Sequence, residues 1–153
     1  PQRHALTRSL GMIALASDHG GFDYKERIKL LLDALGLSWK DFGTHSNDSV
    51  DYPDFAHAAA EAILRGECER GIFICGTGIG ISIAANRHKG IRAAACQVPE
   101  AARMSRLHND ANVLALGQRL ITWDVAEEMI RLWLDTPFEG GRHVCRIGKI
   151  ELE

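Results

Sequence analysis

The sequence predicts an α/β protein, a single three-layer domain with helices on both faces of a five-stranded parallel sheet and a last helix at the C-terminus. Three observations carry this. The 153-residue chain suits one hydrophobic core rather than two. Its composition, 46% hydrophobic and 25% charged, sets it apart from disordered and fibrous chains. Short apolar runs alternate with longer stretches of helical period, the pattern of repeated strand–crossover–strand units.

The opening "PQRHALTRSLG", residues 1–11, lacks an initiator Met and precedes the first strand signal. It is expected to be an extension or cloning remnant ahead of a domain spanning 12–153. "MIALAS" (Met12–Ser17) is a continuous apolar run and reads as a buried strand. Tyr24, Ile28, Leu31, Leu32 and Leu35 then recur at helical spacing, with Gly36 as the stop. "LSWKDF" (Leu37–Phe42) is more polar and reads as an edge strand. Pro53 suits the first turn of a helix running to about Leu64. "GIFIC" (Gly71–Cys75) is the third strand, and the glycine-rich stretch after it leads into an apolar helix-like segment. "IRAAAC" (Ile91–Cys96) reads as a fourth buried strand, and Pro99 opens a helix to about Leu107. "NVLALG" (Asn112–Gly117) is the fifth. Val125, Ala126, Met129, Ile130, Trp133 and Leu134 form a broad apolar stripe on the next helix. Past the turn "PFEGG", Arg142 to about Leu152 makes a last helix with basic residues on its first turns. The arrangement is Rossmann-like.

A formal net charge of -2 gives no basic surface for nucleic acid, so any anion site must be local. The four cysteines lie far apart with no C-x-x-C pair, and there is no apolar run long enough to span a bilayer. A reducing cytoplasm is the expected compartment, and no membrane partner is expected. The histidines and cysteines lack zinc-ligand spacing, so neither a metal nor a cofactor is expected.

Open parallel sheets bind ligands beyond the carboxyl ends of their strands. That rule selects "SDHGG", "CGTGIG", "QVPE" and "GQR". In "CGTGIG", Gly76, Gly78 and Gly80 let successive N–H groups face one concavity, an anion cradle. A Walker loop would need a lysine directly after the glycines, and none comes before Lys89. The dinucleotide fingerprint needs G-x-G-x-x-G after the first strand, whereas G-x-G-x-G follows the third. A thiol phosphatase would place an arginine where Ile81 stands. An uncharged cradle beside Cys75 suits a transient oxyanion, with the thiol as base for proton abstraction next to a carbonyl. The alternative is a strand-end cysteine that only packs.

Asp18 and His19 in "SDHGG" suit sugar hydroxyls or a phosphate, and equally the capping of the next helix. His108, with Asn109 and Asp110 in "RLHND", can move a proton between a ring oxygen and solvent, or can satisfy helix-end carbonyls. Arg142 and Arg146, four apart beside His143, suit a phosphate dianion or form a solvated basic turn. Arg119 joins them or sits at a subunit contact; Tyr52 lines the same pocket or packs.

"SDHGGF", "DYPDFA", "GIFICGTGIGISIAANR", "GIRAA", "SRLHNDANVLALGQR" and "FEGGRH" together resemble the type B ribose-5-phosphate isomerase family, whose relatives include galactose-6-phosphate isomerase subunits. The likeness spans Met12 to about Arg146. It implies a metal-free aldose–ketose isomerase of carbohydrate metabolism and the pentose phosphate pathway, acting on ribose 5-phosphate through an enediolate. By position, Cys75 is the base, backbone N–H groups from Gly76 to Ser82 hold the enediolate, and Thr77 handles the hydroxyl proton. His108, helped by Asp18, opens the furanose ring, and Asn109 contacts the sugar. His19, Arg142 and Arg146 hold the phosphate, with Arg119 contributing. The resemblance also implies a homodimer with shared active sites, able to pair into a tetramer. A tetrose or hexose phosphate substrate, or non-catalytic binding of a sugar phosphate, are the alternatives.

Overall fold

A computed structural model describes residues 10–152. Most of the expected N-terminal extension therefore lies outside the described residues. The strands are β1 (Ile13–Ser17), β2 (Trp39–Asp41), β3 (Arg70–Cys75), β4 (Ala93–Ala95) and β5 (Val113–Gly117). The helices are α1 (Phe22–Ala34), α2 (Tyr52–Leu64), α3 (Ile79–Ala85), α4 (Pro99–Asn109), α5 (Trp123–Asp135) and α6 (Arg142–Gly148), with a 3₁₀ turn at His19–Gly21 before α1. All strand pairs are parallel, in the order β2-β1-β3-β5-β4.

Side chains alternate across each strand, so every strand feeds two cores. Ile13, Leu15, Ile72, Ile74, Leu114 and Leu116 face α1, α4 and α5, whose Ile28, Leu32, Met129, Ile130 and Trp133 are buried against them. On the opposite face Ala14, Ala16, Phe73, Cys75, Val113 and Ala115 meet α2 and α3. That second core is rich in alanine, including Ala56, Ala59, Ala60 and Ala62 of α2, and such small side chains let the helix lie close to the sheet. Thr122 caps α5, its hydroxyl accepting from the Val125 N–H.

Two expectations change. "IRAAAC" is not a buried strand but a three-residue edge strand, with Ala93 and Ala94 half-buried and Ala95 exposed. The Asn86 amide occupies its outer edge, accepting from Ala93 N–H at 2.7 Å and donating to Ala93 C=O at 2.9 Å, which blocks pairing with another strand. The last helix ends at Gly148 rather than near Leu152, and Glu151 beyond it accepts a hydrogen bond from the Gly90 N–H.

From β1 the chain moves outward to β2 and then returns past β1 to β3, so the winding direction reverses between β1 and β3. A crevice beyond the carboxyl ends of those two strands is where this architecture binds ligands.

Candidate active site

Ser17 and Asp18 end β1 beside Ile74 and Cys75 of β3. Cys75 is 4% exposed and points into the alanine-rich core face. Its sulfur nonetheless receives the Gly78 N–H at 3.2 Å, so it borders the glycine loop as well as the core. Gly78 makes this possible through a left-handed conformation, φ 78°, and a Cβ there would stand 2.9 Å from the Leu116 carbonyl carbon. The loop is clamped from the β5 side, where Gln118 and Arg119 donate backbone hydrogen bonds to the carbonyls of Cys75 and Gly76.

Several expected residues gather at this sheet end. A single point beside Gly20 lies 3.2 Å from Gly76 N and 3.3 Å from Asp18 Oδ1, so the carboxylate and the cradle face the same space. Asp18 is buried with Oδ1 unpartnered, and its side chain does not cap the turn that follows. His19 Nδ1 accepts from the Val50 N–H at 3.2 Å, leaving Nε2 for an anion. The Tyr52 ring lies against Gly80, and the Arg119 side chain against Gly76. Thr77 Oγ1 accepts from the Ile79 N–H. Gly80 and Ile81 are in the first turn of α3, where backbone N–H groups have no partner within the helix.

Ser82 departs from expectation. Its N–H donates to Gly78 C=O and its hydroxyl to Ile79 C=O, so both its donors are spent inside α3 and the cradle stops short of it.

The remaining expected residues form a second cluster elsewhere. α4 runs antiparallel to the strands, so its last turn, carrying His108 and Asn109, lies by the amino end of β5. A strand of five or six residues separates that end of the sheet from Cys75, roughly 15–20 Å. Buried Arg106 holds the turn by donating to Asp110 Oδ1 and Ala111 C=O, both at 2.8 Å, and Arg92 donates to the carbonyls of Asn109 and Asp110. Asp110 takes the left-handed conformation, φ 46°, that ends the helix.

α6 packs against this turn. The His143 ring stacks on His108 with centroids 4.3 Å apart and planes 17° from parallel. His108, Asn109, His143 and Arg146 line a cleft of about 310 Å³. Burial first, then His108 and the two arginines, push the His143 imidazole below its usual range against the pull of Glu139. Glu139 lies against both rings and has no signal in the sequence, since it sits in the turn before the last helix. Ser17, fully buried with an unpartnered hydroxyl at the end of β1, was also missed. His108, Glu139 and His143 bring their donor atoms within 4.8 Å, but near-parallel rings do not aim their in-plane lone pairs at one point, so the trio is not a preformed cation cage.

Within one chain, then, Asp18 does not assist His108, His19 does not meet Arg142 and Arg146, and Arg119 belongs with Cys75. The sequence grouped these residues by chemistry; the sheet divides them between its two ends.

Residues 13–150 match the family described as Ribose/Galactose Isomerase. A solved structure of Clostridium thermocellum ribose-5-phosphate isomerase B superposes with a TM-score of 0.90 at 56% identity, covering 91% of this chain and 94% of that one. Ribose-5-phosphate isomerase B of Escherichia coli is 46% identical over 138 residues, 90% of this chain and 93% of its own. D-erythrulose-4-phosphate isomerase of Pectobacterium atrosepticum is 42% identical over 139 residues, 90% of this chain and 91% of its own.

Proposed function

The chain belongs to the ribose/galactose isomerase family, and from that premise we propose that it interconverts ribose 5-phosphate and ribulose 5-phosphate in a site completed by a second copy of itself. The observation that carries the reading is the Cys75 sulfur under the Gly78 N–H, beside the unpartnered Asp18 oxygen, in the β1/β3 crevice. A thiolate there is a base for a carbon-bound proton, and the free N–H groups of the cradle are donors for the oxyanion that results.

Ring opening comes first. The O1 hydroxyl gives up its proton, the C1=O1 bond forms as the C1–O4 bond breaks, and O4 takes a proton; His108 of the second copy, facing Asp18, exchanges these protons. Cys75 then removes the C2 proton to give the enediolate and returns it to C1. The accompanying hydroxyl proton passes from O2 to O1, with Thr77 as its relay. His19 from one copy, with Arg142 and Arg146 from the other, holds the phosphate, and Asn109 and Tyr52 line the sugar's path. Exposed Tyr52, Ile79 and Ile83 beside the cradle supply apolar surface for the second copy to cover.

The relative named for D-erythrulose 4-phosphate supports a second reading, in which a tetrose phosphate is the preferred substrate. Comparing ketose formation from tetrose, pentose and hexose phosphates side by side tests both. Ribose 5-phosphate is expected to give the highest kcat/KM, and Cys75→Ala to lower kcat about 100- to 10,000-fold with little change in KM. Binding without turnover in the unaltered protein would remove the isomerase reading, and turnover surviving Cys75→Ala would remove the thiol as base.

A further inference from the structure

Glu139 sits in the turn between α5 and α6, and its backbone N–H donates to Leu107 C=O at 3.0 Å, which fastens it to the last turn of α4 next to His108. Its two carboxylate oxygens divide between the stacked imidazoles: Oε2 lies 3.9 Å from His108 Nε2, and Oε1 lies 3.7 Å from His143 Nε2. These are ion-pair distances, longer than direct hydrogen bonds. The two rings differ in freedom. His143 is 4% exposed, with Nε2 lacking any hydrogen-bond partner, so it is a packed wall. The His108 side chain is one-third exposed and opens on the cleft shared with Asn109 and Arg146. A ring stacked on one face still needs something to fix which nitrogen carries the proton and which edge meets the substrate. A carboxylate opposite one nitrogen does both; in catalytic triads a buried acid does so through a direct hydrogen bond, whereas half-exposed Glu139 does so across an ion-pair distance.

We propose that Glu139 is the positioning residue for His108: its carboxylate draws the proton to Nε2 and, with the His143 ring as a backstop, presents the unprotonated Nδ1 to the sugar, where it takes the O1 hydroxyl proton and passes it to the ring oxygen O4. The proposal rests on the reading of His108 as the ring-opening residue, but the hold of Glu139 on the imidazole can be measured apart from that reading.

Nitrogen NMR of the histidine side chains in the full-length protein is the first measurement. Unaltered protein is expected to show neutral His108 as a single tautomer protonated at Nε2. Glu139→Gln should give a mixture of tautomers, and Glu139→Asp should keep the original form. Kinetics with ribose 5-phosphate is the second: Glu139→Gln should lower kcat about 10- to 100-fold with KM within about twofold, and Glu139→Asp should recover most of it. An unchanged His108 tautomer in Glu139→Gln overturns the proposal, as does a loss confined to KM, which would make Glu139 a binding group. His108→Ala is run in parallel. If it turns over ribose 5-phosphate like the unaltered protein, the ring-opening reading fails, and the NMR result alone decides whether Glu139 sets the ring.

Discussion

His108 and Cys75 serve different parts of the proposed reaction, and the substrate's own chemistry separates them. Ribose 5-phosphate closes a five-membered ring through O4, whereas a tetrose 4-phosphate has that oxygen phosphorylated and no hydroxyl left to close one. Cys75→Ala should therefore slow both substrates, because both must lose a carbon-bound proton. His108→Ala should lower kcat/KM for ribose 5-phosphate about 10-fold or more while leaving the tetrose within about threefold, the ordinary range for one general acid–base group being about 100-fold or more. Equal losses on both substrates would assign His108 to binding or to the fold. Arg146, on the cleft wall, should behave differently again: Arg146→Ala should raise KM for either phosphate with kcat nearly held, since the phosphate dianion is bound alike in ground and transition states. The loop after Cys75 was legible in the sequence because glycines at alternate positions mark backbone that must pass close to other chain, as Gly78 does at Leu116. Glu139 was not, because one acidic residue in a turn carries no sign of the two imidazoles that fold against it.

At the level of elements, β2 and α1 hold the loop that borders Asp18. Lys25 of α1 is completely buried, with Nζ 2.6 Å from Asp41 Oδ2, and Lys29 approaches the same oxygen at 2.6 Å. Asp41 Oδ1 accepts from the Gly43 N–H; Gly43 C=O in turn accepts from Ser17 N–H, and Thr44 N–H donates to Ser17 C=O. The ion pair thus braces the backbone immediately before Asp18. Asp41→Asn should cost about 3–5 kcal/mol in urea unfolding, because Lys25 keeps only Glu26, at 3.4 Å, as counter-charge. Lys25→Met should cost less than half of that, about 1–2 kcal/mol, since it removes the buried charge and leaves Asp41 with Lys29 and Gly43. Burial alone would raise the Asp41 carboxyl, but the hydrogen bonds from Lys25, Lys29 and Gly43 hold it below its ordinary 3.8. A carboxyl lowered on folding stabilises fully above its unfolded value and loses that contribution as pH falls through the folded one. The gap between unaltered protein and Asp41→Asn should accordingly stay constant near neutral pH and close only below 3.8. The sequence placed both elements correctly, yet this bond joins residues sixteen apart, and neither helical period nor strand alternation marks a lysine that will be buried.

Across the whole molecule, the strand runs and amphipathic stripes were enough to read five parallel strands between two helical layers, because burial on both faces leaves nearly continuous apolar letters. The short β4 was over-read, since alanines satisfy an edge as readily as a centre. What the letters concealed was division: residues of matching chemistry were grouped together, while strand direction sends those following a strand and those preceding one to opposite ends of the sheet. Cys75 follows β3 and His108 precedes β5, so a lone chain cannot bring them to one sugar, and the proposed site needs two copies related by a two-fold axis. Mixing two impaired variants, with their own residual activities subtracted, tests this directly. In a hybrid of Cys75→Ala with His108→Ala, one site carries both substitutions and the other carries neither. Random exchange makes about half the dimers hybrids, each with one intact site of two, so about a quarter of the unaltered activity should return after mixing and refolding. Recovery should follow the product of the two subunit fractions as the ratio is varied, while in mixtures of unaltered protein with a double variant of one chain, Cys75→Ala with His108→Ala, hybrids lose both sites and activity should fall as the square of the unaltered fraction. No recovery from the two single variants, with exchange verified by mass, would place the whole reaction within one chain and remove His108 from the site that Cys75 serves.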